Sequence, residues 1–291
     1  MRDQAWKLRS LIEEKASPVE GRGRVLAVTS GKGGVGKTNI SVGLALSAAR
    51  SGIRTALIDG DLGLANIDVL LDLHPGKNLG HLVDGEASLR EVLITGPEGI
   101  QILPGASGLS RIADMGHSRQ QRLLDAIGDH DLVIIDTGAG ISRSVVDLCH
   151  AAGEVLVVTT PEPTAIVDAY AMLKVFSCEV RIPNCWLTVN QAQSRGEAQQ
   201  VTSRIKSLAK KFLSMDLQDG GAVLYDPRVS ASVRKRQHFT MAYPTSPAAR
   251  SIRELSDGLG MKQPRPVDRG FLHRLKEVFV GDLGRGRERS P

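Results

Sequence analysis

Residues 24–50 read RVLAVTSGKGGVGKTNISVGLALSAAR, and this stretch decides the fold. Residues 24–30 are mostly apolar, which is typical of a buried strand, whereas apolar side chains recur with helical spacing across residues 39–50. A glycine-rich loop at residues 31–36 joins the two segments. A strand that leads directly into a helix is the repeating unit of α/β folds with parallel sheets, so the rest of the chain should repeat this alternation.

The remaining sequence does alternate apolar runs of strand length with longer helical patterns. With residues 25–30, the strand candidates are residues 55–59, 100–104, 132–136, 155–159, 185–190 and 222–225. The helix candidates are residues 37–50, 118–127, 144–150, 165–176, 196–212 and 247–259. This order predicts an α/β fold with a doubly wound, mostly parallel sheet, helices on both faces and a single domain over residues 24–262. In such a fold, ligands bind at the carboxyl ends of the strands.

Composition narrows the class of protein. The chain has 291 residues, of which 41% are hydrophobic and 24% charged, as in ordinary soluble domains. Its three cysteines form no CxxC pair, which argues against a disulfide framework or a thiolate metal site. The first residues are too polar for a secretory signal and no apolar run is long enough to span a bilayer, so we expect a cytoplasmic protein. The net charge of +5 permits contact with anionic lipid or nucleic acid.

The loop GKGGVGKTN, residues 31–39, has the composition and the context of a phosphate-binding loop. Its glycines let backbone N–H groups approach phosphate oxygens, and the following helix presents its positive N-terminal end. Lys37 supplies a charge for the β- and γ-phosphates, and the hydroxyl of Thr38 is placed to bind Mg²⁺. The predicted nucleotide contacts in this loop are Gly31, Lys32, Gly33, Gly34, Val35, Gly36, Lys37, Thr38 and Asn39.

A second lysine gives the loop a closer resemblance. Because Lys32 directly precedes GGVGKT, the loop resembles the deviant Walker A motif of the MinD/ParA ATPases. The resemblance implies that Lys32 crosses a dimer interface to the nucleotide of the partner subunit and stabilises transition-state charge there. It therefore implies an ATPase that dimerises around ATP and Mg²⁺, in which Lys32 and Lys37 have catalytic roles.

Two carboxylates, Asp59 and Asp61, stand at the end of the strand at residues 55–59 and are similar to the DxD of the family's switch I. By this resemblance, Asp61 is the catalytic residue that orients the attacking water or accepts its proton, and Asp59 supports the water shell of the metal. The alternative is a polar loop in which the aspartates cap a helix.

The segment DLVIIDTGAG, residues 131–140, places Asp136 at the end of a fully apolar strand and before a glycine-bearing loop. It resembles the family's Walker B motif and switch II. The resemblance implies that Asp136 holds Mg²⁺ and that the loop senses the γ-phosphate. An aspartate that merely caps the next helix is the alternative.

Two further segments bear on the nucleotide base. The strand at residues 185–190 ends in Asn190, which resembles the asparagine that contacts adenine in this family. The sequence there is VNQA rather than the NKxD of GTPases, which favours adenine over guanine. Asp226 and Pro227 resemble the family's second loop near the base, although their role could be purely structural.

The N-terminal segment, residues 1–23, ends in a linker that contains proline and glycine. Its residues Asp3, Gln4, Ala5, Leu8 and Arg9 match the DQAxxLR motif of the FlhG (FleN) family of flagellar-number regulators. The resemblance implies that this segment is a short helix that stimulates FlhF, a GTPase similar to those of the signal recognition particle. A helix that packs back on its own domain is the alternative.

The C-terminal segment, residues 263–291, follows a break at PRP and contains RGFLHRLKEVFVG. Apolar residues face one side of this stretch and basic residues the other, which predicts an amphipathic helix that lies in the headgroup region of an anionic membrane. Packing of this helix on its own domain is the alternative. The residues predicted to contact lipid are Phe271, Leu272, Leu275, Val278 and Phe279.

Together, the motifs and the resemblance predict an ATP-dependent, dimerising switch with slow ATPase activity that regulates flagellar number or placement. Its expected partners are a second copy of the chain, an FlhF-like GTPase, a FleQ-like flagellar transcription activator and, when ATP is bound, the inner face of the cytoplasmic membrane. One alternative is a binding module that sequesters the activator without needing catalysis. Another is a ParA-type ATPase that partitions DNA. Direct DNA binding is not expected, because the lipid-like tail and the DQAxxLR segment argue against it.

Overall fold

The computed structural model describes residues 24–61, 66–105, 127, 129–178, 182, 184–263 and 274. Within these residues, eight strands form one sheet in the order β3-β4-β2-β5-β1-β6-β7-β8. The strands are β1 (Arg24–Ser30), β2 (Thr55–Gly60), β3 (Ile94–Thr95), β4 (Gln101–Leu103), β5 (Leu132–Ala139), β6 (Glu154–Thr159), β7 (Asn184–Ala192) and β8 (Gln218–Leu224). Only β3 and β4 pair antiparallel among these strands, and every other neighbouring pair is parallel.

Helices connect the strands and cover the sheet. The described helices are α1 (Lys37–Arg50), α2 (Ile67–Leu70), α3 (Leu79–Asp84), α4 (Leu89–Val92), α5 (Arg143–Ala152), α6 (Pro163–Cys178), α7 (Arg195–Leu213), α8 (Pro227–Arg234), α9 (Phe239–Ala242) and α10 (Pro247–Gly258). A 3-10 turn spans Pro97–Gly99. No helix in the described ranges is long and apolar enough to cross a membrane.

The two faces of the sheet bury two separate apolar clusters. Along β1, Leu26 and Val28 join the cluster that contains the apolar residues of α1 and α10. Val25 and Ala27 join the opposite cluster, with residues of α5, α6 and α7. Successive side chains of a strand point to opposite faces, so a strand covered on both sides must be apolar throughout. This explains why β1 is buried over its whole length and is apolar from residue 25 to residue 28.

The predicted fold class is confirmed: all seven predicted strands are present, and β1 lies between β5 and β6 at the centre of the sheet. The strand β8 begins at Gln218. The sequence predicts a start at residue 222, because the pair Gly220-Gly221 looks like a turn. A Cβ atom at Gly220 would lie 2.6 Å from the hydroxyl of Thr188 on β7, so glycine permits the strands to pair there. Apart from Ile127, the helix predicted at residues 118–127 lies outside the described residues.

Candidate functional site

The glycine-rich loop lies between the carboxyl end of β1 and the start of α1, at the centre of the sheet edge. Gly31, Lys32, Gly33, Gly34, Val35 and Gly36 form the loop, and Lys37, Thr38 and Asn39 form the first turn of the helix. Gly36 precedes the helix with a left-handed backbone, φ +90°, that favours glycine. At Gly31 a Cβ atom would lie 2.2 Å from the backbone oxygen of Asp168, so α6 packs directly against the loop.

Lys37 is almost fully buried at the start of α1. Burial lowers the pKa of its ammonium group, while the nearby carboxylates of Asp136 and Asp61 oppose that shift. The ammonium group therefore lies in a small volume with two acidic side chains, immediately below the loop. A buried positive charge at a helix N-terminus suits an anion such as phosphate.

Asp136 lies near the carboxyl end of β5, next to Asp59 on the neighbouring strand β2 in the register of the sheet. Its carboxylate accepts a hydrogen bond of 2.8 Å from the hydroxyl of Ser41, one helical turn beyond Lys37, and another from the hydroxyl of Thr38. Burial raises the pKa of Asp136 to about 6, although these hydrogen bonds oppose the shift. Asp136 does not cap the next helix, because Ser142 occupies that position.

Asp59 is as deeply buried as Asp136, and burial raises its pKa to about 7. Its two carboxylate oxygens accept backbone N–H groups from Asp61 and Asn66, each at 3.2 Å. Asn66 is the residue that precedes α2. Asp59 therefore also fixes the backbone of Asp61 and Asn66, so part of the structural alternative applies to it.

The donor atoms of Thr38, Asp59 and Asp136 fit Mg²⁺, which prefers oxygen ligands and needs only one or two carboxylates when a phosphate completes its shell. Asp59 and Asp136 are neighbouring buried carboxylates with raised pKa values, so a divalent cation between them would balance their charge. No group of three or more His, Cys, Asp or Glu side chains in the described ranges could hold a metal by itself. These residues thus suit a metal that arrives with a phosphate ligand.

Asp61 belongs to the first predicted switch segment and lies close to the second. A Cβ atom at Gly138 would lie 3.6 Å from a carboxylate oxygen of Asp61, so the end of β2 and the end of β5 are in contact. The Asp61 charge also acts on both Lys37 and Asp136. The structure thus places Asp61 beside the phosphate loop and the metal-binding candidates.

Lys32 is held by residues of its own chain. Its ammonium group lies 2.8 Å from a carboxylate oxygen of Glu162, in the loop between β6 and α6, and 2.9 Å from the hydroxyl of Thr164, at the start of α6. Its backbone oxygen accepts a hydrogen bond of 2.7 Å from the hydroxyl of Ser30. The Lys32 side chain is half-exposed, whereas Lys37 points into the buried acidic cluster.

A cavity of about 460 Å³ opens beside the loop and the start of α1. Asn190 lies in its wall and donates a hydrogen bond of 2.7 Å from its side-chain amide to the backbone oxygen of Val35. Asp226 also lines the cavity, but it caps α8 by accepting the N–H of Arg228, and Pro227 is the first residue of that helix. Further lining residues are Asn39, Ile40, Gln191, Val223, Tyr225, Val233, Arg234 and Phe239.

Several residues of the site are absent from the sequence prediction. Ser41 could have been found, since it lies one turn from Lys37 on the same helix face. Glu162 follows a strand end, which is a weak signal. The cavity residues on α8 and α9 carry no signal of their own, because these helices are too short to give a periodic pattern. The predicted residues Asp3, Gln4, Ala5, Leu8, Arg9, Phe271, Leu272, Leu275, Val278 and Phe279 lie outside the described residues.

Known proteins share this sequence and fold. The profile of the CobQ/CobB/MinD/ParA nucleotide binding domain matches residues 26–239. Antiactivator FleN of Pseudomonas aeruginosa is 40% identical over 262 residues, which cover 88% of this chain and 93% of that protein. Flagellum site-determining protein YlxH of Helicobacter pylori is 32% identical over 286 residues, 95% of each chain.

Among solved structures, the septum site-determining protein MinD of Pyrococcus horikoshii, complexed with Mg-ADP, superposes with a TM-score of 0.64. It is 21% identical, and the match covers 84% of this chain and 100% of that one. At this identity, the comparison supports the fold.

Proposed function

Because this chain belongs to the CobQ/CobB/MinD/ParA family of nucleotide-binding domains and is a homologue of antiactivator FleN, we propose that it is an ATP-dependent, dimerising switch with slow ATPase activity. Its task would be to regulate flagellar number or placement, as the name flagellum site-determining protein, given to YlxH, suggests for that relative. The observation that carries the proposal is the cluster of Lys37, Asp59 and Asp136 directly below a glycine-rich loop.

Each residue of the cluster has a defined task in this proposal. The backbone of the loop and Lys37 bind the phosphates, and Thr38, Asp59 and Asp136 hold Mg²⁺, which would neutralise phosphate charge. Asp61 orients the attacking water or accepts its proton, since it lies beside both the loop and the end of β5. Ser41 keeps the Asp136 carboxylate in place through its 2.8 Å hydrogen bond.

Adenine would occupy the cavity beside Asn190. That side chain already bonds the loop through Val35, so it is placed to fix the loop and the base side of the site together. Asp226 and Pro227 support the opposite wall through the start of α8. The cavity volume of about 460 Å³ is within the range of small-ligand sites.

Dimerisation would use Lys32. To reach the nucleotide of a second copy, Lys32 has to leave Glu162 and Thr164, with which it pairs in the described structure. The pair is exposed, so solvent compensates for most of its loss. ATP hydrolysis would then depend on the meeting of two subunits.

Three further contacts complete the proposal. The DQAxxLR segment would act on an FlhF-like GTPase, the apolar residues between 271 and 279 would contact an anionic membrane at its cytoplasmic face, and the domain would bind a FleQ-like activator. The name antiactivator, given to FleN, favours one second candidate: a binding module in which hydrolysis is secondary.

The test is size-exclusion chromatography with light scattering on wild type, Asp61→Ala and the exposed control Asp216→Ala, each with ATP or ADP and Mg²⁺. We expect wild type to form dimers with ATP but not with ADP. The dimer of Asp61→Ala should persist with ATP for hours, because this variant binds ATP without hydrolysing it. Flotation with phosphatidylglycerol-containing vesicles should follow the dimer. Equal elution volumes with ATP and ADP would contradict the switch. If Asp61→Ala still represses the flagellar transcription activator, the binding module is favoured.

A further inference from the structure

One fully buried histidine, His238, connects two separate parts of the site. Its Nε2 atom lies 2.9 Å from the backbone oxygen of Asn39, in the first turn of α1. Its Nδ1 atom lies 2.8 Å from the hydroxyl of Thr240 and accepts the backbone N–H of the same residue at 3.3 Å, which caps α9. The ring therefore joins the phosphate-loop helix to the segment that follows α8.

The partners fix the form of the ring. A backbone oxygen can only accept, so Nε2 carries the proton and Nδ1 is left as the acceptor for Thr240. Burial lowers the pKa of His238 to about 4, which keeps the ring neutral. Both nitrogens are thus used, and each bond serves a different element.

Both elements that the ring joins contribute a residue to the wall of the cavity. Asn39, whose backbone oxygen receives the bond, lines the cavity from the first turn of α1. Phe239, the first residue of α9, also lines the cavity, and its ring centroid is 4.4 Å from that of His238. Gly43 on α1 faces the ring, since a Cβ atom there would lie 3.2 Å from Cε1 of the histidine and 3.1 Å from Cγ2 of Ile252. Glycine inside a helix costs stability relative to alanine, so the contact is built at some expense.

We propose that His238 is a positioning residue for the nucleotide: it sets the distance between the phosphate loop and the base-side wall of the cavity, so that one ligand can fill both. The inference rests on the proposed nucleotide binding. A ligand with a base and a triphosphate needs both subsites in register, whereas inorganic tripolyphosphate needs the loop alone. Loss of the bond to Asn39 should therefore weaken the nucleotide selectively.

Two substitutions separate the two bonds of the ring. His238→Asn places an amide oxygen near the position of Nδ1, so it keeps the cap of α9 and loses the bond to Asn39. His238→Gln places an amide N–H near the position of Nε2, so it keeps the bond to Asn39 and loses the cap. Calorimetric titration with Mg-ATP and with Mg-tripolyphosphate measures each subsite.

We expect His238→Asn to weaken ATP binding about fivefold to tenfold, as for one lost buried hydrogen bond, and tripolyphosphate binding less than about twofold. His238→Gln should keep the wild-type ratio of the two affinities. If His238→Asn does not fold, Gly43→Ala, whose added methyl group crowds both the ring and Ile252, should change the ratio in the same direction. If the variant that folds keeps the wild-type ratio of the two affinities, as it would after an equal loss of affinity for both ligands, the proposal is overturned. Failure of wild type to bind either ligand would instead contradict the proposed function.

Discussion

The ammonium group of Lys32 lies 2.8 Å from the Glu162 carboxylate of the same chain, in the loop that precedes α6. Lys32 lowers the pKa of Glu162, so this carboxylate is ionised at neutral pH. Both side chains are exposed to a large extent, and exposed ion pairs contribute little to stability. The lysine is therefore held in a defined position that it can leave at low cost.

Glu162→Gln should favour the ATP-dependent dimer. The substitution removes the charge that holds Lys32 in its own subunit, so more of the protein has the lysine free to cross an interface. Because the pair is exposed, we expect less than about a fivefold decrease in the dimer dissociation constant. Sedimentation with ATP and Mg²⁺ measures it. Glu254→Gln, which removes the exposed partner of Arg195, is the matched control. A weaker dimer in Glu162→Gln would argue against the role of Glu162 in holding Lys32 in its own subunit.

Lys37→Ala should weaken nucleotide binding strongly. The buried ammonium group is the positive charge that the proposal places against the β- and γ-phosphates, and removal of one partner of a buried charge pair across a binding site is expensive. We expect the dissociation constant for ATP to rise by about 100-fold or more. Titration with a fluorescent ATP analogue measures this change. The exposed Lys211→Ala should bind as wild type, and tight binding by Lys37→Ala would remove this lysine from the phosphate site.

The sequence could indicate that the central residues of the candidate site lie together, because they lie at strand ends. Gly31–Asn39, Asp59 and Asp136 each follow an apolar strand that is buried on both faces, so parallel pairing brings them to one edge. What is local in the sequence, such as loop composition and strand burial, could be read directly. The alternation of Leu26 and Val28 against Val25 and Ala27 follows from the same rule.

Contacts between distant segments could not be predicted in this way. Glu162 is 130 residues from Lys32, and His238 is 199 residues from Asn39. These contacts depend on how α6 and α9 pack, which no single periodic pattern specifies. Asn190 was expected at the base, but the sequence does not indicate that its amide also fixes the loop at Val35.

Gly36→Ala should destabilise the domain and disrupt the phosphate loop. Gly36 has φ +90°, and an added Cβ atom would lie 2.4 Å from the side-chain nitrogen of Asn190. Strain in the backbone of residue 36 and displacement of Asn190 should together lower the free energy of unfolding by about 2–3 kcal/mol. Urea denaturation measures this change. Gly52→Ala is the control, since Gly52 has φ +82° with no atom near its Cβ position. If both variants lose the same stability, backbone strain explains the effect and contact with Asn190 does not.

The last prediction concerns the pH dependence of stability. Burial lowers the pKa of His238 to about 4 from its ordinary value of 6.5. Between these values the unfolded chain binds a proton that the folded chain does not, so the stability from this group is present above pH 6.5 and is lost as pH falls towards 4. The loss should be on the order of 3 kcal/mol. Asp59 acts in the opposite direction, because burial raises its pKa to about 7 and its ionisation destabilises the fold as pH rises.

Comparison of wild type with His238→Gln cancels the contribution of Asp59. Urea unfolding from pH 7.5 to pH 4 should show that the difference in free energy of unfolding between the two proteins shrinks as pH falls, since only wild type has to exclude a proton from this position. A constant difference between wild type and His238→Gln would mean that His238 titrates alike in the folded and unfolded chains, and hence that its ring is not held neutral between Asn39 and Thr240.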